Sequence, residues 1–140
     1  MKIRTIIVLI IVTLTIIVAG CSISPKPVRN ITPWVDSDWT TSAGHFTYMS
    51  RKFDAGDTLD INLILRAGNY AATVFFADSL EYAHWVNNEN SYLLWKKDHF
   101  VGEGSYTVGV PTDGKYYFVV YNDAFFATIK LSVLLKVISW

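Results

Sequence analysis

The C-terminal part of the chain alternates apolar and polar residues, and this pattern restricts the available folds more than any other feature. The apolar residues of one parity are Phe125, Ala127, Ile129, Leu131, Val133, Leu135 and Val137, and those between them include Thr128, Lys130, Ser132 and Lys136. Successive side chains of a strand point to opposite faces, so the alternation predicts a long strand with one face in the core and one in water. Residues 59–66 and 106–110 repeat it.

Turn-forming residues separate these runs at short intervals. Gly, Asn and Asp within 54–57, 68–69, 112–114 and 122–123 tolerate the positive φ angles that tight hairpins require. They bound predicted strands that include 46–53, 58–67, 70–77 and 115–121. The expected fold is all-β, an antiparallel β-sandwich of about seven to eight strands behind an N-terminal signal helix. Residues 78–89 break the rhythm and are expected to form a short helix or a long loop.

The first residues have the pattern of an export signal, because Lys2 and Arg4 precede an apolar run at 6–19. The following sequence, Val18-Ala19-Gly20-Cys21, resembles the lipobox of prokaryotic lipoprotein precursors. The resemblance implies cleavage after Gly20 and a lipid on Cys21 that tethers the protein to a membrane. The alternative is an uncleaved transmembrane anchor, although spanning a bilayer takes about 20 apolar residues. Both interpretations place residues 22–140 outside the cytoplasm, because the positive charges stay inside.

Three segments are therefore predicted. Residues 1–20 form a lipoprotein signal peptide, 21–38 the lipidated cysteine and a Pro-containing tether, and 39–140 the β-sandwich domain. Pro25, Pro27 and Pro33 are expected to interrupt any regular element in the tether. Cys21 is the only cysteine, so no disulfide can form within the chain.

Two motifs at the turns resemble a known group of domains. One is Phe53-x-Ala55-Gly56-Asp57-x-Leu59-x-Ile61, and the other is Val110-Pro111-x-Asp113-Gly114-x-Tyr116-Tyr117-x-Val119-x-Tyr121-Asn122. Over residues 44–138 the chain is similar to the GOLD (emp24-type) and bacterial pre-peptidase C-terminal domains. This resemblance implies a β-sandwich that acts as an accessory or interaction module rather than as a catalyst, with no catalytic residues to carry over.

Catalytic and metal-binding patterns are not evident in the sequence. The chain has 12 basic and 12 acidic residues with no basic tract, so nucleic acid is not an expected partner. The three histidines, His45, His84 and His99, lack the short spacing of metal ligands. Oxygen ligands for calcium would be available from Asp54, Asp57, Asp113 or Asp123, but turn formation explains these residues more simply. We expect no enzyme activity, no cofactor and no metal.

Aromatic residues provide the remaining candidate site, because they make up 15% of the chain. Tyr82, His84, Trp85 and Asn87 combine stacking rings with hydrogen-bonding groups, a mixture suited to a glycan or a protein contact. The alternative is that Tyr82 and Trp85 plug one open end of the sandwich. A further set is expected to be core or half-buried strand residues: Tyr116, Tyr117, Phe118, Phe125 and Phe126.

The sequence thus predicts a membrane-anchored extracytoplasmic lipoprotein. It would act as a non-catalytic module that binds a glycan or an envelope protein. The alternative is a structural cell-envelope protein that works through self-association, which a long, unprotected edge strand with apolar side chains would favour.

Overall fold

A computed structural model describes residues 28–67 and 71–140 of the chain. The predicted signal peptide, Cys21 and the first part of the predicted tether lie outside these residues. The elements, in chain order, are β1 (Asn30–Thr41), β2 (Phe46–Phe53), β3 (Thr58–Ala67), β4 (Ala72–Asp78), α1 (Ser79–Val86), β5 (Trp95–Phe100), β6 (Glu103–Gly109), β7 (Gly114–Tyr121) and β8 (Ile129–Ser139).

The strands form two four-stranded antiparallel sheets, which confirms the predicted β-sandwich. The first sheet has the order β1-β8-β3-β6 and the second has the order β2-β7-β4-β5. The two sheets pack against each other through alternate residues of their strands. In β8 these buried alternate residues are Ile129, Leu131, Val133, Leu135 and Val137. The residues between them are half-buried or exposed as far as Lys136, whereas Ile138 near the end of the strand is buried.

Strand β4 is buried on both of its faces. Val74 and Phe76 point into the core between the sheets, whereas Phe75 and Ala77 belong to a separate apolar cluster on the outer face of the second sheet. Helix α1 covers that outer cluster. Its start is defined by Asp78, whose carboxylate accepts hydrogen bonds from the N–H groups of Leu80 and Glu81, both at 2.9 Å. Of the two alternatives predicted for residues 78–89, a short helix or a long loop, the structure has the short helix.

The predicted tether extends too far along the chain. Residues 30–38 are not part of a spacer, because β1 already begins at Asn30 and pairs with β8 as far as Thr41. Pro33 does not prevent this pairing, since β1 is an edge strand and its register shifts between Pro33 and Val35. A proline lacks an N–H donor and is tolerated at such an edge or bulge.

The last strand starts later than the alternation predicted. β8 begins at Ile129, and Phe125 and Phe126 lie in the loop before it, with exposed fractions of 89% and 98%. Their expected place in the core or in a half-buried strand is therefore wrong. The other three aromatic residues of that set agree with the expectation, because Tyr116 and Phe118 are buried and Tyr117 is half-buried.

Candidate functional site

The predicted site lies on helix α1, whose inner side faces the second sheet. Tyr82 stacks on Tyr117 of β7 with ring centres 4.0 Å apart and planes 3° from parallel. Trp85 packs on Phe75 of β4 at 4.7 Å. Both side chains are half-buried. They cover the outer face of the sheet rather than one open end of the sandwich, where the alternative interpretation had placed them.

The environment of Tyr82 is apolar enough to change its acidity. Burial raises the pKa of the Tyr82 phenol above its ordinary value of 10.0, and the neighbouring phenols of Tyr48 and Tyr117 raise it further. The hydroxyl is therefore held in its neutral form. This ring acts as an uncharged packing surface between the helix and the sheet.

The two polar residues of the predicted site lie away from these rings. The Nδ1 and Nε2 atoms of His84 lie 3.7 Å and 3.8 Å from carboxylate oxygens of Glu81 and Glu89, respectively. Asn87 ends the helix, where its backbone N–H donates to the carbonyl of Ala83. Its side chain is exposed. Their role in ligand binding stays a prediction.

A shallow cleft of about 470 Å³ lies beside the C-terminal end of α1. Trp85 is the one member of the predicted site that lines it. The other lining residues are Gly44, Phe46, Val86, Asn88, Glu89 and Tyr121. The lining thus combines aromatic and aliphatic side chains with the polar residues Asn88 and Glu89.

The loop before β8, residues 123–128, exposes the two phenylalanines and is named here the distal loop. The side chain of Asn122 forms hydrogen bonds with the backbone of this loop. The Nδ2 group of Asn122 donates to the carbonyl of Ala127 at 2.6 Å, and its Oδ1 accepts from the N–H of Ala124 at 3.1 Å. The two rings between these anchored positions have centres 6.3 Å apart and planes 41° apart. Nothing in the sequence analysis identified this loop, although two adjacent phenylalanines cannot both face the core from a regular strand.

The distal loop and the cleft lie at the same end of the sandwich. Tyr121 lines the cleft and directly precedes Asn122, and the N–H of Gly44 donates to the carbonyl of Asn122 at 2.9 Å. Asn30, where β1 begins, pairs with Ser139 at the other end. A strand rises about 3.3 Å per residue, so β1 separates the two ends by about 36 Å. Asn30 therefore lies far from the distal loop.

The outer face of the first sheet carries a cavity of about 800 Å³ that is lined by both polar and apolar residues. Arg66 Nε donates to the Ser132 hydroxyl, which donates in turn to Asp38, and the Ser105 hydroxyl donates to Asn62 at 2.7 Å. These contacts satisfy the polar groups among themselves.

The turn aspartates have structural partners. Asp57 Oδ2 accepts a hydrogen bond from the N–H of Asp54 at 3.1 Å, and Asp113 Oδ1 accepts one from the N–H of Ala55 at 2.6 Å. This agrees with the turn-forming role expected of Asp57 and Asp113. Within residues 28–67 and 71–140, no group of three or more His, Cys, Asp or Glu side chains is placed to hold a metal ion. In the same part of the chain, no helix has the length and apolar character needed to cross a bilayer.

This chain is similar to known proteins in structure but not in sequence. No protein-family model matches the sequence, and no curated protein matches it. The chain is similar to Aeromonas hydrophila PliG, a periplasmic lysozyme inhibitor of g-type lysozyme, with a TM-score of 0.50 and 14% identity over 85% of this chain and 93% of that chain. At that identity the likeness shows a shared β-sandwich fold.

Two further solved structures are also similar to this chain. One is a chain of Bacillus endospore appendages, described as disulfide-linked pili, with a TM-score of 0.49 and 14% identity over 85% of this chain and 95% of that chain. The other is the pre-peptidase C-terminal domain of a Bacillus anthracis collagenase, with a TM-score of 0.42 and 17% identity over 71% of this chain and 89% of that chain.

Proposed function

We propose that this protein is a membrane-anchored extracytoplasmic lipoprotein and a non-catalytic module that binds a protein partner. In this proposal a lipid on Cys21 holds the domain on the membrane, and the distal loop and the adjoining cleft contact the partner. The observation that carries the proposal is the exposure of Phe125 and Phe126 on a loop whose two ends are hydrogen-bonded to the buried side chain of Asn122.

Two features of the loop favour binding over a simple surface position. Full exposure of two adjacent phenylalanine rings is unfavourable in water by about 1.5–3 kcal/mol each relative to burial, so a partner that covers them gains that energy. The anchoring by Asn122 restricts the loop before binding, which reduces the entropy that association must overcome. Aromatic residues that enter apolar pockets are typical energetic centres of protein interfaces.

The chemistry of the loop favours a protein over a glycan. Phenylalanine offers no hydroxyl or N–H group to a sugar, and planes 41° apart do not form one flat stacking platform. The cleft adds Phe46, Trp85 and Val86 as apolar neighbours, with Asn88 and Glu89 at its margin. This mixture resembles an apolar interface centre with a polar rim.

The comparison with PliG supports the same class of function. PliG is described as a periplasmic inhibitor of an enzyme, so a β-sandwich of this shape serves there as a protein-binding module. The lipobox resemblance of Val18–Cys21 supports anchoring, and the position of Asn30 supports presentation of the distal loop away from the anchored end.

The anchor is tested by a Cys21→Ser variant of the full chain. We expect the wild type to carry a lipid mass increment and to partition with membranes, and the variant to lack the increment and to leave the membrane fraction. The anchoring proposal is wrong if the wild type has no lipid mass or if the variant stays on the membrane to the same extent.

The binding surface is tested by a photo-crosslinking residue at position 126 of the full chain in cells that express it natively. We expect a protein adduct of defined mass, and we expect a Phe125→Ser substitution to reduce it at least tenfold, which corresponds to about 1.4 kcal/mol of binding energy. A matched control carries the crosslinker at position 80, because Leu80 is also apolar and exposed but lies on α1. Equal adducts from both positions, or none from position 126, would contradict the proposal. Binding to a glycan array that depends on Phe126 would instead support the glycan alternative.

A further inference from the structure

The four edges of the two sheets differ in how they resist pairing with another strand. The edge strand β1 contains Pro33 and a register shift. On the other edge of the first sheet, β6 pairs with β3 without a register shift, but it contains Gly104 and exposes no large apolar side chain. The edge strand β5 carries charged, exposed residues at 96–98, and its pairing with β4 is irregular. Charges, prolines and irregularities of this kind are the usual protection against edge-to-edge association.

Strand β2 is the least protected of these edges. It pairs with β7 along Phe46–Phe53 without a register shift and contains no proline. Phe46, Tyr48 and Met49 are apolar and between 40 and 49% exposed, and the positive charges follow only at Arg51 and Lys52. Among the described residues β2 pairs with β7 alone, so the backbone groups on its other side are available to another strand.

We propose that β2 pairs with β2 of a second copy of this chain, antiparallel and about a two-fold axis at Met49. Opposite residues in an antiparallel pair point to the same face of the sheet, and neighbouring residues of one strand point to opposite faces. The two-fold axis must therefore relate a residue to the same residue of the second copy, and it cannot pass between two residues. An axis at Met49 uses residues 46–52 of both copies. It places Tyr48 opposite Ser50 of the second copy and Phe46 opposite its Lys52.

Charge selects this register over its neighbours. An axis at Arg51 or Lys52 would place two like charges directly opposite each other, which is unfavourable. An axis at Ser50 would bring the two Arg51 side chains to diagonal positions, whereas an axis at Tyr48 would pair fewer residues of the strand. With Met49 on the axis, Arg51 lies opposite Thr47, the two Met49 side chains lie opposite each other, and the apolar residues at 46 and 48 of each strand lie opposite residues 52 and 50 of the other.

The resulting dimer has one continuous sheet across the two copies. It covers Phe46, Tyr48 and Met49, which are otherwise exposed on a regular edge. The distal loops lie at opposite ends of this dimer, because the two-fold axis reverses the strand direction. Pairing through β2 leaves Phe125 and Phe126 uncovered on the distal loops, but it shares Phe46 with the cleft of the proposed partner surface.

Cysteine crosslinking in the full chain tests the register. Opposite Cα atoms in an antiparallel pair lie about 4.5–5.5 Å apart, within the range that a disulfide joins. We expect Met49→Cys to form a disulfide-linked homodimer under mild oxidation. Tyr48→Cys and Ser50→Cys should each fail to do so alone and should crosslink when mixed. The wild type is the control for any crosslink through Cys21. The Lys97→Cys variant, at an exposed position on the β5 edge, is the control for crosslinking by random collision.

The proposal is wrong if Met49→Cys crosslinks no faster than Lys97→Cys, or if Tyr48→Cys crosslinks alone as fast as Met49→Cys. A second measurement does not depend on thiols. The detergent-corrected mass of the purified full chain should be that of a dimer, and Met49→Lys should reduce it to that of a monomer without loss of the folded circular-dichroism signal. Leu80→Lys, at an exposed position on α1, should remain dimeric. A monomeric wild type, or a dimeric Met49→Lys variant, would overturn the proposal.

Discussion

Asn122 is the buried residue on which the distal end of the sandwich depends. Its side chain is fully buried, and its Nδ2 group donates to the carbonyls of Thr41 at 2.9 Å and Ala127 at 2.6 Å. Its Oδ1 accepts from the N–H of Ala124. The amide thus joins the end of β1 to the loop that leads into β8. We predict that Asn122→Ala destabilises the fold strongly, because no other described side chain reaches these groups.

The magnitude follows from what the substitution leaves without a partner. The carbonyl of Thr41 belongs to a buried residue, and a buried unsatisfied group costs about 1–3 kcal/mol. Ala124 and Ala127 are half-buried, so water restores part of their hydrogen bonding, and each loses about 0.5–1.5 kcal/mol. The free energy of unfolding should therefore fall by about 3 kcal/mol. That is a large part of the total stability of about 5–15 kcal/mol that is typical of a domain.

Urea unfolding of the full chain measures this loss. The matched control is Asn62→Ala, since Asn62 is half-buried on the outer face of the first sheet and accepts one hydrogen bond from the hydroxyl of Ser105. We expect that control to cost less than about 1 kcal/mol. A loss at Asn122 below about 1 kcal/mol, or equal to the loss at Asn62, would refute the reasoning.

The isosteric variant Asn122→Asp separates hydrogen bonding from packing. It keeps the size of the side chain but places a carboxylate oxygen against two carbonyls. Burial raises the pKa of the introduced carboxyl, and its protonated form can donate one hydrogen bond. The destabilisation should therefore be at least as large as that of alanine at neutral pH and should shrink on acidification. A stable Asn122→Asp protein at neutral pH would show that packing, not hydrogen bonding, makes Asn122 necessary.

Three further outcomes are expected. Tyr116→Phe should lower the free energy of unfolding by about 1 kcal/mol, because the buried hydroxyl donates to the carbonyl of Thr112 at 2.9 Å; an unchanged urea midpoint would contradict this. Gly56→Ala should lower the free energy of unfolding by about 1–2 kcal/mol, because the φ of Gly56 is +90°. Gly109→Ala, in open space and without a positive φ, should lower it by less than about 0.5 kcal/mol. Equal thermal midpoints for the two variants would contradict this argument from backbone conformation. The raised pKa of Tyr82 means that the folded state holds the phenolic proton more tightly than the unfolded state does. The free energy of unfolding should therefore decline as pH rises through about 10, and Tyr82→Phe should reduce that decline. An unchanged dependence of stability on alkaline pH in the variant would count against this prediction.

Several elements could be predicted from sequence because local signals and tertiary packing agree there. The bounds of β2 and β3 match their predicted ranges, since alternation defines the strands and 54–57 supplies the turn between them. At Gly56 the positive φ of the turn is present as the Gly-Asp motif indicates. Strand β5 was not predicted, because its sequence WKKDHF is mostly polar and exposed and has no apolar alternation to detect.

The candidate site was predicted less completely. Aromatic residues at 82 and 85 indicated an unusual surface, but a helix can turn them either toward solvent or toward a sheet. Only the presence of Phe75 and Tyr117 beneath α1 decides that they face inward. The opposite error occurred at the distal loop, where apolar residues in phase with β8 were assigned to the strand although Asn122 holds that segment outside it.

By itself, the sequence determined the strand periodicity, the turn positions and the sandwich class, because each depends on residues close together in the chain. The resemblance of Val18-Ala19-Gly20-Cys21 to a lipobox rests on local sequence in the same way and stays a prediction. Tertiary structure alone decided that Pro33 lies in a paired edge strand, that α1 covers the second sheet and that Phe125 and Phe126 are exposed. These features depend on pairings between distant segments, such as β1 with β8 and Asn122 with Thr41. Local propensity does not encode those pairings, because their energies arise only when the sheets assemble.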